Sequence, residues 1–167
     1  MTARIDSFIP TDALPTLPDL PDLNQREQRI RLSRALPAVI RILDAWHLTR
    51  EQQAELLTLS VRTVQRAASR AEHPELNADQ LTRMSLITGI YKALHVLYNA
   101  TPDDWPRRPN QRHPFGGRTP AAFMLSAGIP GLLATRRLLD ADRSGQFSGT
   151  PESRAQAAAL PQPDIHL

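Results

Sequence analysis

Apolar positions recur every three or four residues along most of this chain, and no stretch alternates long enough to read as a strand. The pattern begins after Asn24. Arg26, Glu27, Arg29, Arg31 and Arg34 mark a solvated face, while Ile30, Leu36, Val39, Ile40, Leu43 and Trp46 form a stripe at helical spacing. Pro37 falls inside that stripe, so it either kinks the segment or opens a second helix in its first turn. Trp46 reads as a core anchor. Thr49 and Gln52 have the spacing of a capping box, which starts a short helix through Leu57. Thr58-Leu59-Ser60 is a tight connection to a second short helix over 61–70. Asn77 and Gln80 repeat the capping pattern ahead of the longest helix, 78–98, with Leu81, Met84, Ile87, Ile90, Tyr91, Leu94, Leu97 and Tyr98 on its apolar face.

Proline and glycine then break the pattern. Residues 105–118 form a Pro-rich basic loop in which Arg107, Arg108, Arg112 and Arg118 have no acidic neighbour. Gly116-Gly117 suits a turn. It does not suit a phosphate-binding loop, because no Lys-Ser/Thr follows. Thr119-Pro120 starts a helix over 121–127 that Gly128 ends, and Pro130 opens a last helix over 130–139. Phe115, Phe123 and Leu125 are expected to pack this small lobe. The expected fold is all-α: a helix-turn-helix unit joined by a long central helix to a small helical C-terminal lobe. The expected division is a flexible Pro-rich arm (1–23), a helix-turn-helix domain (24–100), a C-terminal domain (101–145), to which the family resemblance given below assigns toxin binding, and a flexible tail (146–167).

Residues 49–70 carry the internal logic of a helix-turn-helix. Ala54 is small where two helices cross, Leu57 and Leu59 bracket the turn, and Val64 and Ala67 face inward. The outer face carries Arg62, Thr63, Gln65, Arg66, Ser69 and Arg70, which suit phosphates and base edges in a major groove. Thr58 occupies the turn position that usually holds glycine. The same pattern also fits a helical hairpin that only packs, with arginine as its solvent face.

Composition narrows the classes. The chain has 167 residues, 41% of them hydrophobic and 5% aromatic, so its core is expected to be mostly aliphatic. It has no cysteine, hence no disulfide framework and no thiolate metal site. Net charge is +3, and Lys92 is the only lysine among 20 basic residues. Arginine suits phosphates and carboxylates, although coding bias produces the same enrichment. The first ten residues lack the apolar stretch of a signal peptide, and no run is long enough to span a membrane. His47, His73, His95, His113 and His166 are scattered without metal-ligand spacing, and His95 reads as a core histidine. No nucleophile elbow is present. The chain is not expected to be an enzyme or to carry a cofactor.

Three stretches, in order, resemble the Xre/MbcA/ParS antitoxin family over roughly residues 36–141. The first is Ala45-Trp46-His47-Leu48-Thr49 with Glu51-Gln52-Gln53-Ala54-Glu55-Leu56-Leu57 and Ser60-Val61-Arg62-Thr63-Val64-Gln65-Arg66. The second is Arg83-Met84-Ser85-Leu86-Ile87-Thr88-Gly89-Ile90-Tyr91-Lys92-Ala93-Leu94-His95. The third runs from Pro114-Phe115-Gly116-Gly117-Arg118-Thr119-Pro120 through Gly128 and Gly131-Leu132 to Arg136-Arg137-Leu138-Leu139-Asp140. The resemblance implies an antitoxin that inactivates a RES-domain, NAD-consuming toxin and represses the shared operon. It also implies operator DNA as a partner, a homodimer, higher toxin–antitoxin assemblies and a cytoplasmic location without a membrane partner. On that footing Arg118, Arg136, Arg137, Asp140, Asp142 and Arg143 are the candidate toxin contacts. The alternative is a stand-alone helix-turn-helix regulator whose C-terminal lobe only dimerises, and a weaker one is a structural adaptor.

Overall fold

A computed structural model of the chain describes residues 21–69, 74–98 and 100–144. The arm up to residue 20, Arg70, His73 and the tail from 145 lie outside the described residues. Every regular element among the described residues is helical: α1 (Arg26–Ser33), α2 (Leu36–Ala45), α3 (Arg50–Leu57), α4 (Val61–Ala68), α5 (Ala78–Leu97), a 3-10 turn (Pro102–Arg107) and α6 (Pro120–Arg143).

The helix starts follow the side chains that precede them. Pro37 sits in the first turn of α2, so it opens a second helix and does not kink the first. Thr49 accepts from the Gln52 amide at 3.3 Å while the Gln52 side chain accepts from the Thr49 amide at 3.0 Å. Asn77 and Gln80 close the same reciprocal box on α5. Ser60 and Thr119 cap α4 and α6. Glu51, in the first turn of α3, has its carboxyl held below the ordinary value by a backbone amide and the Thr49 hydroxyl.

The helix ends are less usual. His47 and Thr58 take left-handed backbone, with φ of 58° and 52°. After α2, the Leu48 amide reaches back to the Leu43 carbonyl and the His47 amide to Asp44. After α3, the Leu59 amide reaches Ala54 and the Thr58 amide reaches Glu55. These are Schellman closures, here built without glycine. The turn that lacked its glycine in the sequence therefore has the left-handed geometry regardless. The Gln80 side chain donates to the Thr58 carbonyl, and the Thr58 hydroxyl lies 3.3 Å from Asp79 Oδ2, so α5 braces the turn.

One core joins the helices. Leu36, Ile40, Leu43, Trp46, Leu56, Leu57 and Val64 meet Leu76, Ile87, Ile90 and Leu94 of the central helix region, and Met124, Leu132 and Leu139 close it from α6. Burying each such side chain contributes about 1.5–3 kcal/mol. Trp46 is fully buried, as expected of an anchor. α1 has few apolar residues and is held by polar contacts instead. The buried Ser33 hydroxyl accepts from the Leu76 amide at 3.0 Å, and Arg26 and Arg29 pair with Glu75.

α6 breaks at Gly128 (φ 60°, ψ −135°), where the sequence places the end of one helix and the start of the next. The second half runs past Leu139 to Arg143, because Arg136–Asp140 and Arg143–Asp140 pairs reinforce its last turns. Among the described residues no helix is long and apolar enough to cross a membrane.

Candidate DNA-binding and partner-binding surfaces

α3 and α4 pack on one another, and α4 also packs on α2. Val64 and Ala67 are fully buried, so the opposite face of α4 is forced outward. Arg62, Gln65, Arg66 and Ser69 are exposed at spacings of three, one and three residues, which places them on one stripe. Thr63 is half-buried, and its hydroxyl pairs with Ser60 at 2.8 Å in the helix cap. The Ser69 hydroxyl donates to the Arg66 carbonyl. Arg70 lies outside the described residues.

The position of this stripe depends on a polar brace that the sequence pattern does not announce. Gln53 is completely buried, donates to Asp44 Oδ1 at 2.7 Å and to the Leu48 carbonyl at 2.9 Å, and accepts from Arg50 at 2.7 Å. Arg50 also pairs with Asp44 at 2.8 Å. Burying an amide is tolerable only when its groups are paired. The brace ties the end of α2 and the turn after it to α3. The one sequence hint is that Gln53 sits where the α3 periodicity calls for an inward residue.

The C-terminal lobe is organised differently. Tyr98 stacks on Trp105 with centroids 6.3 Å apart, Trp105 meets Phe115 edge-on at 5.7 Å, and Phe115 meets Phe123 edge-on at 5.5 Å. The Arg118 guanidinium lies 5.1 Å above the Phe123 ring. The basic loop folds back on itself, with the Asn110 amide bonded to the Arg118 carbonyl and the Gly117 amide to the Asn110 carbonyl. Gly116 and Gly117 both have positive φ, as the turn requires. The loop includes a cis His113–Pro114 bond.

The loop's charge is answered by one distant acid and one nearby. Arg112 makes a two-pronged pair with Asp142, both bonds 2.8 Å, and that contact raises the Arg112 pKa above its ordinary value despite partial burial. Arg108 pairs with Asp104. No local signal announces the Arg112–Asp142 pair, whose members are thirty positions apart. Of the candidate partner contacts, Asp140 is held by Arg136 at 2.7 Å and Arg143 at 3.6 Å, and Asp142 by Arg112. Arg137 is exposed, and Arg118 is exposed over Phe123. Arg136, Arg137, Asp140, Asp142 and Arg143 thus share the end of α6, while Arg118 stands at its start. His95 does not join the core as expected. It is exposed at the edge of the α5 stripe, packed on Tyr91 at 4.0 Å, with Nε2 3.9 Å from Asp103.

Arg83 lies where the two halves meet. Its guanidinium pairs with Asp79, donates to the Leu56 carbonyl at the end of α3, and lies 3.7 Å from where a side chain on Gly128 would begin.

The fold is that of an all-α protein in which a helix-turn-helix region packs with a smaller C-terminal lobe. Residues 27–89 match the family described as antitoxin Xre-like helix-turn-helix domain. Residues 94–145 match the antitoxin Xre/MbcA/ParS C-terminal toxin-binding domain. The chain is 35% identical over 117 residues to the uncharacterized protein y4oB of Sinorhizobium fredii (strain NBRC 101917 / NGR234), a match covering 69% of this chain and 88% of that protein. No solved structure matches. The chain belongs to the Xre/MbcA/ParS antitoxin family.

Proposed function

We propose that this protein neutralises a RES-domain, NAD-degrading toxin and represses their shared operon. The observation that carries the reading is one helical body that holds both the exposed polar stripe of α4 and the mixed-charge end of α6. A pocket that binds NAD must be cationic to hold a pyrophosphate. Asp140 and Asp142 offer that pocket carboxylates, while Arg118, Arg136, Arg137 and Arg143 meet an acidic rim. The Asp140 pair is partly exposed and contributes about 0.2–1 kcal/mol, so exchanging Arg136 for a toxin arginine costs little there, whereas the two-pronged Arg112 pair holds the less exposed Asp142 more firmly. On α4, Arg62 and Arg66 contact phosphates or base edges, with Thr63, Gln65, Ser69 and Arg70 beside them. A homodimer sets two copies of α4 about 34 Å apart, one turn of duplex, and toxin binding extends it into a larger cytoplasmic assembly. The protein acts by binding and not by catalysis.

The test is co-expression with the product of the neighbouring gene, which this reading expects to be a RES-domain toxin. The intact chain restores growth and NAD levels, and Asp140→Arg abolishes the rescue. Arg62→Ala with Arg66→Ala leaves rescue intact but weakens operator binding and lowers its salt slope by about 0.9 for each phosphate no longer neutralised. Rescue by Asp140→Arg, or an unaltered salt slope, contradicts the corresponding half of the reading.

A further inference from the structure

The turn between α3 and α4 holds a branched residue in left-handed backbone. Thr58 has φ of 52°, a conformation that a β-branched side chain disfavours. Such backbone persists where its surroundings over-determine it. Here those surroundings are the first two turns of α5. The Gln80 side chain donates to the Thr58 carbonyl at 3.0 Å, and Asp79 Oδ2 lies 3.3 Å from the Thr58 hydroxyl. Arg83 joins these contacts to α3. Its Nε donates to the same Asp79 oxygen at 2.7 Å, and its Nη1 donates to the Leu56 carbonyl at 3.0 Å.

The Leu56 bond completes the end of α3. A helix leaves its last four carbonyls without partners of its own. The Leu59 amide meets Ala54, the Thr58 amide meets Glu55, the Thr58 hydroxyl meets Leu57, and Arg83 meets Leu56. A cation suits that place, because the carbonyl end of a helix is partially negative. The Arg83 side chain is only 13% exposed, and a side chain on Gly128 would begin 3.7 Å from its Nη1 and Nη2. The break in α6 therefore lies against a guanidinium already tied to α3 and α5. Arg62 and Arg66, by contrast, are exposed on α4.

We propose, on the footing that α4 reads DNA as above, that Arg83 is a positioning residue for operator recognition. It makes no contact with DNA. From α5 it holds the α3–α4 turn, and so it sets how α4 is presented to the groove. Recognition side chains must be held to within about 0.5 Å of their productive geometry, and the turn is where that precision is lost first.

The experiment titrates the full-length chain against a duplex of the DNA upstream of its own gene, over a range of salt concentrations. Binding is read well below the melt of each variant, where reduced stability alone leaves affinity unchanged. Arg83→Met keeps the apolar stem and removes the donors. It is expected to weaken binding about tenfold, with the salt slope unchanged because no phosphate contact is lost. Amide exchange at Thr58 and Leu59 should accelerate in the same variant. Thr58→Gly added to Arg83→Met should recover most of the affinity, since glycine enters left-handed backbone unaided. Arg83→Lys keeps the charge and one donor, so its loss should be smaller, and it carries the same comparison if Arg83→Met fails to fold. Wild-type affinity or unchanged exchange in Arg83→Met overturns the proposal. So does a reduced salt slope, which would make Arg83 a phosphate contact, and so does a loss that Thr58→Gly leaves in place. A wild-type chain that ignores the duplex would refute the DNA-binding reading itself, and the proposal with it.

Discussion

The helix-turn-helix region and the C-terminal lobe are stabilised in opposite ways. In the first, an aliphatic core around Trp46 is braced by a buried polar network on Gln53, and the cations of α4 are turned outward. In the second, four aromatic rings run in series from Tyr98 to Phe123, and several surface charges are engaged with one another. A surface that meets a uniform polyanion benefits from cations turned outward together, since binding releases counterions. A surface that meets one shaped protein benefits from side chains held in place beforehand, because preorganisation lowers the ordering cost of binding. Under the proposed function, the contrast in packing is also one of purpose.

The largest test of it is Phe115→Ala. It removes the middle of the aromatic series at a fully buried position and should cost about 3–5 kcal/mol. Thermal melts should fall steeply and toxin capture should weaken, with operator binding near wild type below the melt. Equal loss of both activities would mean the regions are not separable. Next comes Gln53→Ala, which leaves the Leu48 carbonyl without its side-chain donor and Asp44 short of one bond. We expect a loss of about 1–3 kcal/mol, read as a lower denaturant midpoint at unchanged slope, with operator affinity suffering more than toxin affinity. The smallest effect runs the other way. Thr58→Gly relieves a branched residue in left-handed backbone, at the expense of the hydroxyl's 2.7 Å bond to the Leu57 carbonyl and its weak 3.3 Å contact to Asp79. It should stabilise the chain by about 0.5–1 kcal/mol in equilibrium unfolding. A net destabilisation would mean that the hydroxyl contact outweighs the backbone strain.

Helices, caps and breaks were legible along the chain because each depends on residues within four positions of one another. Thr49 with Gln52, Asn77 with Gln80, Pro37 in a first turn and Gly128 at a break all act at that range. The outward stripe of α4 was legible for the same reason, since Val64 and Ala67 settle which face turns in. Contacts between distant segments were not. Nothing near Arg112 points to Asp142, nothing near Ser33 points to Leu76, and His95 looks inward on a helical wheel although it lies at the stripe's exposed edge. Periodicity specifies which side of a helix is apolar, but the crossing of helices decides how wide a strip of it is covered and which charges meet.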